Sequence, residues 1–272
     1  MELLPMNYHY LRYPIEKFLD KVEALPFEKI DLYCSAPQIN IFNYSLAKLI
    51  WLDKQIKKRH LKVDIVTPEN FSYPINFCTS DYQTLEDSMR YYQRAIDTAD
   101  FLDCSRVQIS VGTGYFNENS RETWKRCQES LEILVAYCEK KKMQLLLEEL
   151  KETSSNILNN SGQIVNMIKA INSPNLLGMM DIDQMHCYGE TPKDYINNLG
   201  TKLQHIHFND QGHRVPGDGT YPMLKYYREI VENGYNGTCS FEICDRLYFE
   251  EPDKALDRTV SWFRENTTEI NW

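Results

Sequence analysis

No stretch of the 272-residue chain is apolar for long enough to cross a bilayer as a helix. Residues 1–13 lack a charged segment followed by an apolar one, the pattern that directs export. A reduced cytoplasmic protein is therefore expected, with no membrane partner. Positive charge is scarce: 30 Lys and Arg stand against 39 Asp and Glu, for a net charge of −9. The densest basic runs, 54–60 and 140–142, fall at the ends of helical patterns, where cations suit the helix dipole. Duplex nucleic acid demands a strongly positive surface, so no nucleic-acid partner is expected. The 8 cysteines include no CxxC pair, which removes zinc-ribbon and thioredoxin-type readings. They sit in strand and helix patterns as small apolar residues do. No glycine follows the first strand pattern, which continues Tyr8-His9-Tyr10-Leu11-Arg12. An open nucleotide-binding sheet usually carries a Gly-rich turn there. No repeat, low-complexity segment or linker divides the chain, so 1–272 is read as one domain.

Composition is that of a globular protein, with 42% hydrophobic and 25% charged residues. Short apolar runs alternate with amphipathic helical patterns from end to end. Strands are predicted at 6–10, 29–34, 62–66, 106–111, 143–147, 176–182, 203–208 and 238–243. Helices are predicted at about 15–25, 45–59, 162–171, 192–199, 223–233 and 252–263, with two more after the third and fourth strands. The helix after the third strand places Leu85, Met89, Tyr92, Ile96, Ala99 and Leu102 on one side, at steps of three and four. Thr84 and Asp87 near its start have capping-box spacing. Gly234 fits the end of the helix after the seventh strand. Regular strand–helix alternation implies a parallel sheet, and a count of eight implies a closed (β/α)₈ TIM barrel.

In such barrels chemistry lies at the C-terminal ends of the strands. The fifth strand ends Leu147-Glu148-Glu149, the sixth Met180-Asp181-Ile182, the seventh His205-Ile206-His207-Phe208 and the eighth Phe241-Glu242-Ile243. Neighbouring strands thus each bring a carboxylate or an imidazole to one mouth. Any one of these has a structural explanation, as a helix cap, a surface ion pair or a packed core histidine. Together they would repel or stay poorly solvated unless a cation sat among them. Three carboxylates and one imidazole suit Mn²⁺, Mg²⁺, Co²⁺ or Zn²⁺. His205 and His207 point to the same side of their strand, and His207, nearer the C-terminal end, is the expected ligand.

Glu148, Asp181, His207 and Glu242 resemble the metal ligands of the xylose isomerase-like superfamily of sugar isomerases, epimerases and endonuclease-type barrels. The Pro216-Gly217-Asp218-Gly219 turn is similar to that family's PG-x-G turn. Thr67-Pro68-Glu69, followed by Tyr73-Pro74 and Asn76, resembles the loop after the third strand in the fructoselysine 3-epimerases of this group. His9 with Pro14-Ile15-Glu16, Ser155-Asn156 and Glu251-Pro252 extend that resemblance along nearly the whole chain. Two positions depart. Gln184 stands where psicose- and tagatose-type enzymes often carry a substrate-binding His. Ser154 stands where the fructoselysine enzymes carry Glu.

The resemblance implies one divalent metal ion and epimerisation at C3 of a ketose or ketosamine. Glu148 and Glu242 would pass the proton through an enediolate, and His9, Glu69, Gln184 and Arg214 would bind substrate. Tyr8, Tyr73 and Tyr115 are candidates to stack on a sugar face. An endonuclease-type barrel, an inositol-derivative dehydratase and a non-catalytic sugar-binding barrel remain as alternatives. Oligomers are common among such barrels, and Tyr221, Tyr226 and Tyr227 are candidates for an exposed aromatic patch that would make a homo-oligomer.

Overall fold

The computed structural model describes residues 1–70 and 72–267. Eight parallel strands follow one another in chain order: β1 (Glu2–Pro5), β2 (Lys29–Cys34), β3 (Lys62–Pro68), β4 (Arg106–Ile109), β5 (Gln144–Leu147), β6 (Leu176–Asp181), β7 (Leu203–His207) and β8 (Thr238–Phe241). Each pairs with its successor from β2 to β8, and β8 pairs with β1. A single parallel bridge between Met6 and Asp31 joins the chain just beyond β1 to β2, which brings the sheet round to a nearly closed barrel.

Helices return the chain between strands: α1 (Ile15–Glu23), α2 (Leu46–Lys58), α3 (Tyr82–Phe101), α4 (Ser120–Lys141), α5 (Ser161–Ile171), α6 (Ile182–Tyr188), α7 (Pro192–Leu199), α8 (Met223–Glu232) and α9 (Pro252–Asn266). Their apolar faces cover the outside of the sheet in one continuous core. At β6 the fit is close enough that a Cβ on Gly178 would strike the Leu199 side chain of α7. Inside the barrel a separate cluster of Leu4, Ile65, Leu146, Leu177 and Met179 plugs the lumen. The barrel is thus a packed core with its polar groups displaced towards the mouth.

The predicted architecture holds, with local corrections. The first strand lies at Glu2–Pro5, earlier than 6–10; residues Tyr8–Tyr10 form a 3₁₀ turn. Aromatic residues suit a strand by propensity, but here pairing with β8 ends at Pro5. The cap of α3 is Asp81, which accepts from the Thr84 amide at 2.7 Å, so the helix begins before the predicted Thr84–Asp87 box. The sixth strand runs directly into α6, because Asp181 both ends β6 and caps that helix. Tyr226 and Tyr227 are buried beneath α8 and Tyr221 packs partly against the core, so they form no exposed aromatic patch. Gly234, at φ +76°, does follow the end of α8 as expected. Among the described residues no helix is long and apolar enough to cross a membrane.

Candidate metal centre

Residues at or just past the ends of four adjacent strands converge at the barrel mouth. The Glu148 amide continues the β4–β5 ladder by donating to Ile109 O at 2.9 Å. Glu149 turns the other way, and its Oε1 accepts from the Asp181 amide at 3.0 Å. It thereby ties β5 to β6 behind the site. Asp181 Oδ1 accepts from the Gln184 amide at 2.8 Å and its Oδ2 from Asn209 Nδ2 at 2.6 Å. The carboxylate is so held by the helix it caps and by the loop after β7.

His207 Nδ1 lies 3.0 Å from Glu148 Oε1, 3.1 Å from Glu242 Oε2 and 3.9 Å from Asp181 Oδ2. One donor atom from each of Glu148, Asp181, His207 and Glu242 lies within 4.8 Å of all the others. The spacing matters because His207 Nδ1 has no partner of hydrogen-bond geometry despite those short approaches. Atoms arranged this way point at a shared centre rather than at one another. Three carboxylate oxygens and one imidazole nitrogen at such separations fit a small divalent cation with bonds of about 2.0–2.2 Å.

Behind this group lies a second set of contacts. His207 Nε2 is 3.7 Å from Asp31 Oδ2, and His205 Nε2 is 3.4 Å from the same oxygen. Thr67 Oγ1 donates to Asp31 Oδ1 at 2.6 Å. β2 and β7 are not sheet neighbours, so these approaches cross the lumen. His205 is further tied to Thr238 Oγ1 at 2.8 Å and Ser240 Oγ at 3.0 Å. It therefore packs below the centre, as its strand position predicts. Asp31, His205 and His207 also lie close enough together to hold an ion. His205, however, already spends both ring nitrogens on hydroxyls.

Without a cation, the electrostatics of the cluster are divided. Burial pushes the Glu148 carboxyl up to about 7, with Glu242 and Asp181 adding to the rise and His207 opposing it. Burial acts the same way on Glu242, but His207 and His213 outweigh it and hold that carboxyl well below the usual range. Burial disfavours the His207 cation, yet Glu242 and Glu148 raise its pKa well above that of an ordinary imidazole. Asp31 stays below the usual carboxylate range despite complete burial, because His205 and His207 face it. His205 is pushed down to about 4 by burial and is neutral at pH 7.

A cavity of about 410 Å³ opens over the cluster. Glu148, Glu242 and His213 reach it from the floor side, Gln108 and Ser110 from β4 and its exit, and Tyr8, Tyr33 and Glu69 from the wall opposite. Tyr8 and Tyr33 stack with ring centroids 3.9 Å apart. The Tyr33 hydroxyl donates to Glu69 Oε2, and Glu69 Oε1 accepts from the Ser72 amide at 2.8 Å. Gln108 Nε2 donates to Glu148 Oε2. A second cavity, of about 460 Å³, lies at the opposite end, among the starts of β2, β3 and β4. None of the residues that could hold a metal ion lines it.

Of the predicted substrate-binding residues, Glu69 and Gln184 line the cavity. His9 does not. It is fully buried against Tyr10, at 4.7 Å between ring centroids, and burial pushes its pKa down to about 3, so it is a neutral core residue. Arg214 is also displaced: its Nε donates to Asp245 Oδ2 at 2.8 Å at the surface. The neighbouring His213 enters the cavity instead, with Nε2 3.2 Å from Glu242 Oε2 and 3.6 Å from Asp181 Oδ2. His213 itself has a positive φ of 58° in this loop. Of the tyrosines, Tyr8 lines the cavity, whereas Tyr73 bonds to the Ala36 amide and Tyr115 is solvent-exposed. The Pro216–Gly219 turn is organised by Asp210, which accepts from the Gly217 amide at 2.9 Å and the Tyr221 amide at 3.1 Å. A Cβ on Gly219 would overlap that carboxylate.

The chain belongs to the xylose isomerase-like TIM barrel family, whose model matches residues 19–266. Among individual relatives, fructoselysine 3-epimerase of Escherichia coli O157:H7 is 26% identical over 258 residues, covering 93% of this chain and 94% of the relative. D-psicose 3-epimerase of Enterocloster bolteae is 23% identical over 235 residues, covering 84% of this chain and 76% of that one. The crystal structure of D-psicose 3-epimerase from Clostridium cellulolyticum H10 with D-tagatose superimposes with a TM-score of 0.76 at 18% identity, covering 96% of this chain and 99% of that one. The 3-keto-D-glucoside 4-epimerase of E. coli superimposes with a TM-score of 0.81 at 15% identity, covering 97% and 99%. The family and branch that the strand-end residues and loop motifs resemble are those found, and these relatives are epimerases, members of the isomerase class.

Proposed function

We propose that this chain is a divalent-metal-dependent epimerase acting at C3 of a ketose or ketosamine, in a reducing, cytoplasmic setting. The observation that carries the reading is the convergence of Glu148, Asp181, His207 and Glu242 under an open cavity. The named activities of its relatives supply the reaction class.

Glu148, Asp181, His207 and Glu242 would hold the cation, His207 through Nδ1. A bound divalent cation supplies positive charge against oxygens that become anionic as a proton leaves C3. Asp31 Oδ2 lies 3.7 Å from Nε2 of His207, beyond hydrogen-bond reach, and its negative charge on that side would favour a proton on Nε2 and leave Nδ1 its lone pair. The C3 proton of a ketose is acidified by the C2 carbonyl, so a carboxylate suffices as base. Glu148 and Glu242 come from β5 and β8, three strands apart, and approach a substrate from different sides. One removes the proton from one face of the enediolate plane; the other returns a proton to the opposite face, inverting C3. His213 lies against Glu242 and would orient it, while Gln108 does the same for Glu148. Tyr8 and Tyr33 offer an aromatic wall, and Glu69 and Gln184 offer polar atoms for hydroxyls or a ketosamine nitrogen.

Proton NMR in D₂O tests this directly, with metal-loaded protein and a panel of fructoselysine, psicose, fructose and tagatose. Deuterium should enter C3 of at least one compound, and only when metal is present. Exchange confined to another carbon, or none with any of the four, would overturn the proposal.

A further inference from the structure

Among the described residues that line the cavity, Lys151 is the one lysine or arginine, and the proton transfer gives it no task. Its position is nevertheless fixed twice. Its amide donates to Gln184 Oε1 at 2.7 Å, and its Nζ donates to Asp183 Oδ2 at 2.7 Å. Those two acceptors are consecutive residues of the first turn of α6, and both are buried. Holding a lysine side chain in one place opposes its large rotamer entropy.

The Asp183 carboxylate is not reserved for that lysine. Its Oδ1 also accepts from the Gly212 amide at 3.0 Å and the Tyr221 hydroxyl at 2.8 Å, and His213 Nδ1 is 3.5 Å from Oδ2. Its negative charge is therefore shared among several donors. An ammonium has three N–H donors, and Asp183 takes one. The other charged groups of the cavity are the carboxylates of Glu69, Glu148 and Glu242 and the imidazole of His213. An anion entering the cavity thus meets attraction on the Lys151 side and repulsion from the opposite wall. The ammonium is separated from Glu242 by one carboxylate and one imidazole, along Lys151–Asp183–His213–Glu242.

The geometry points to Lys151 as the anchor for an anionic substituent, a carboxylate or phosphate, at the end of the ketose away from C2 and C3. This deepens the epimerase reading and rests on it for the identity of the sugar portion. A charge-assisted hydrogen bond is a strong contact, so the preference it creates is large.

The test compares fructose, fructose 6-phosphate and fructuronate on the metal-loaded protein, by calorimetric binding and by C3 exchange in D₂O. At least one of the two anions should bind about tenfold tighter than fructose or better; which one does so separates phosphate from carboxylate. Lys151→Met should erase that advantage and leave fructose within about twofold, and Lys151→Arg should restore part of it. Equal binding of fructose and both anions, absence of binding by both anions, or an equal loss for fructose in Lys151→Met would each overturn the assignment. Absence of C3 exchange with every compound would instead count against the epimerase reading, with the binding comparison still deciding the role of Lys151.

Discussion

The two halves of the barrel share one architecture and divide the work. β5 to β8 each bring, at their ends or one residue beyond, a member of the cluster that could hold a metal ion, whereas β1 to β4 and the residues just after them supply cavity wall: Tyr8, Tyr33, Glu69 and Gln108. Asp31 belongs to the first half by sequence and serves the second, because it reaches across the lumen to His207. The difference teaches that fold supplies positions at every strand end, and side-chain chemistry decides which become a reaction centre.

The largest effects are expected in the second half. Glu148→Gln or Glu242→Gln should lower kcat by about 10³-fold or more, at least the middle of the range for loss of one acid–base group, since each would also hold the cation. Circular dichroism should show an unchanged fold. Near wild-type turnover in either variant would remove the two-glutamate assignment.

Asp31→Asn alters the first half and should be felt in the second. Metal affinity, measured by competition with a chelator, should weaken by about 10- to 100-fold. The affinity of a merely structural residue's variant would stay at the wild-type value after correction for any change in folding.

A smaller effect comes from pH. Burial raises Glu148 in the cation-free protein from the ordinary carboxyl value of about 4.5 to about 7. A carboxyl whose pKa is raised by folding binds its proton more tightly in the native state. Its contribution to stability is complete below about 4.5 and is lost as pH rises through about 7. Thermal melts of the cation-free protein should therefore lose stability across that window from this group. Metal binding should strengthen over the same window, as the proton that competes at Glu148 departs. A metal affinity independent of pH between 5 and 8 would contradict the placement of Glu148 in the cluster.

Arg214→Ala marks the lower end of the scale. Its ion pair with Asp245 is at the surface, so activity should stay within about twofold and the thermal midpoint close to the wild-type value. A large rise in KM would return Arg214 to the cavity.

The sequence disclosed the second half of the barrel more fully than the first. Strand ends rich in acid and imidazole stand out because such groups conflict with the apolar residues just before them. Glu148, Asp181, His207 and Glu242 could be read that way, and the structure gathers all four. Asp31 could not, since its partners Thr67, His205 and His207 are 36 or more residues away and meet it only across the lumen. Loop residues were least legible. His213 rather than Arg214 lines the cavity, from a loop in which His213 takes a positive φ, a conformation uncommon for a non-glycine residue and without a sequence signature. His9 was misplaced for a related reason: the first strand ends at Pro5, and the following 3₁₀ turn buries the imidazole. Lys151 reads in sequence as one more surface lysine and gains meaning only from the buried Asp183 beside it.

Glu148, Asp181, His207 and Glu242, three of them buried and Glu242 nearly so, would form one cation site. The most direct test is metal stoichiometry by mass spectrometry after dialysis with Mn²⁺, on the wild type and on His207→Ala. One ion per chain in the wild type, and a large loss of binding in His207→Ala, is the expected result. No retained ion, or two ions per chain with the second held by Asp31, His205 and His207, would contradict it.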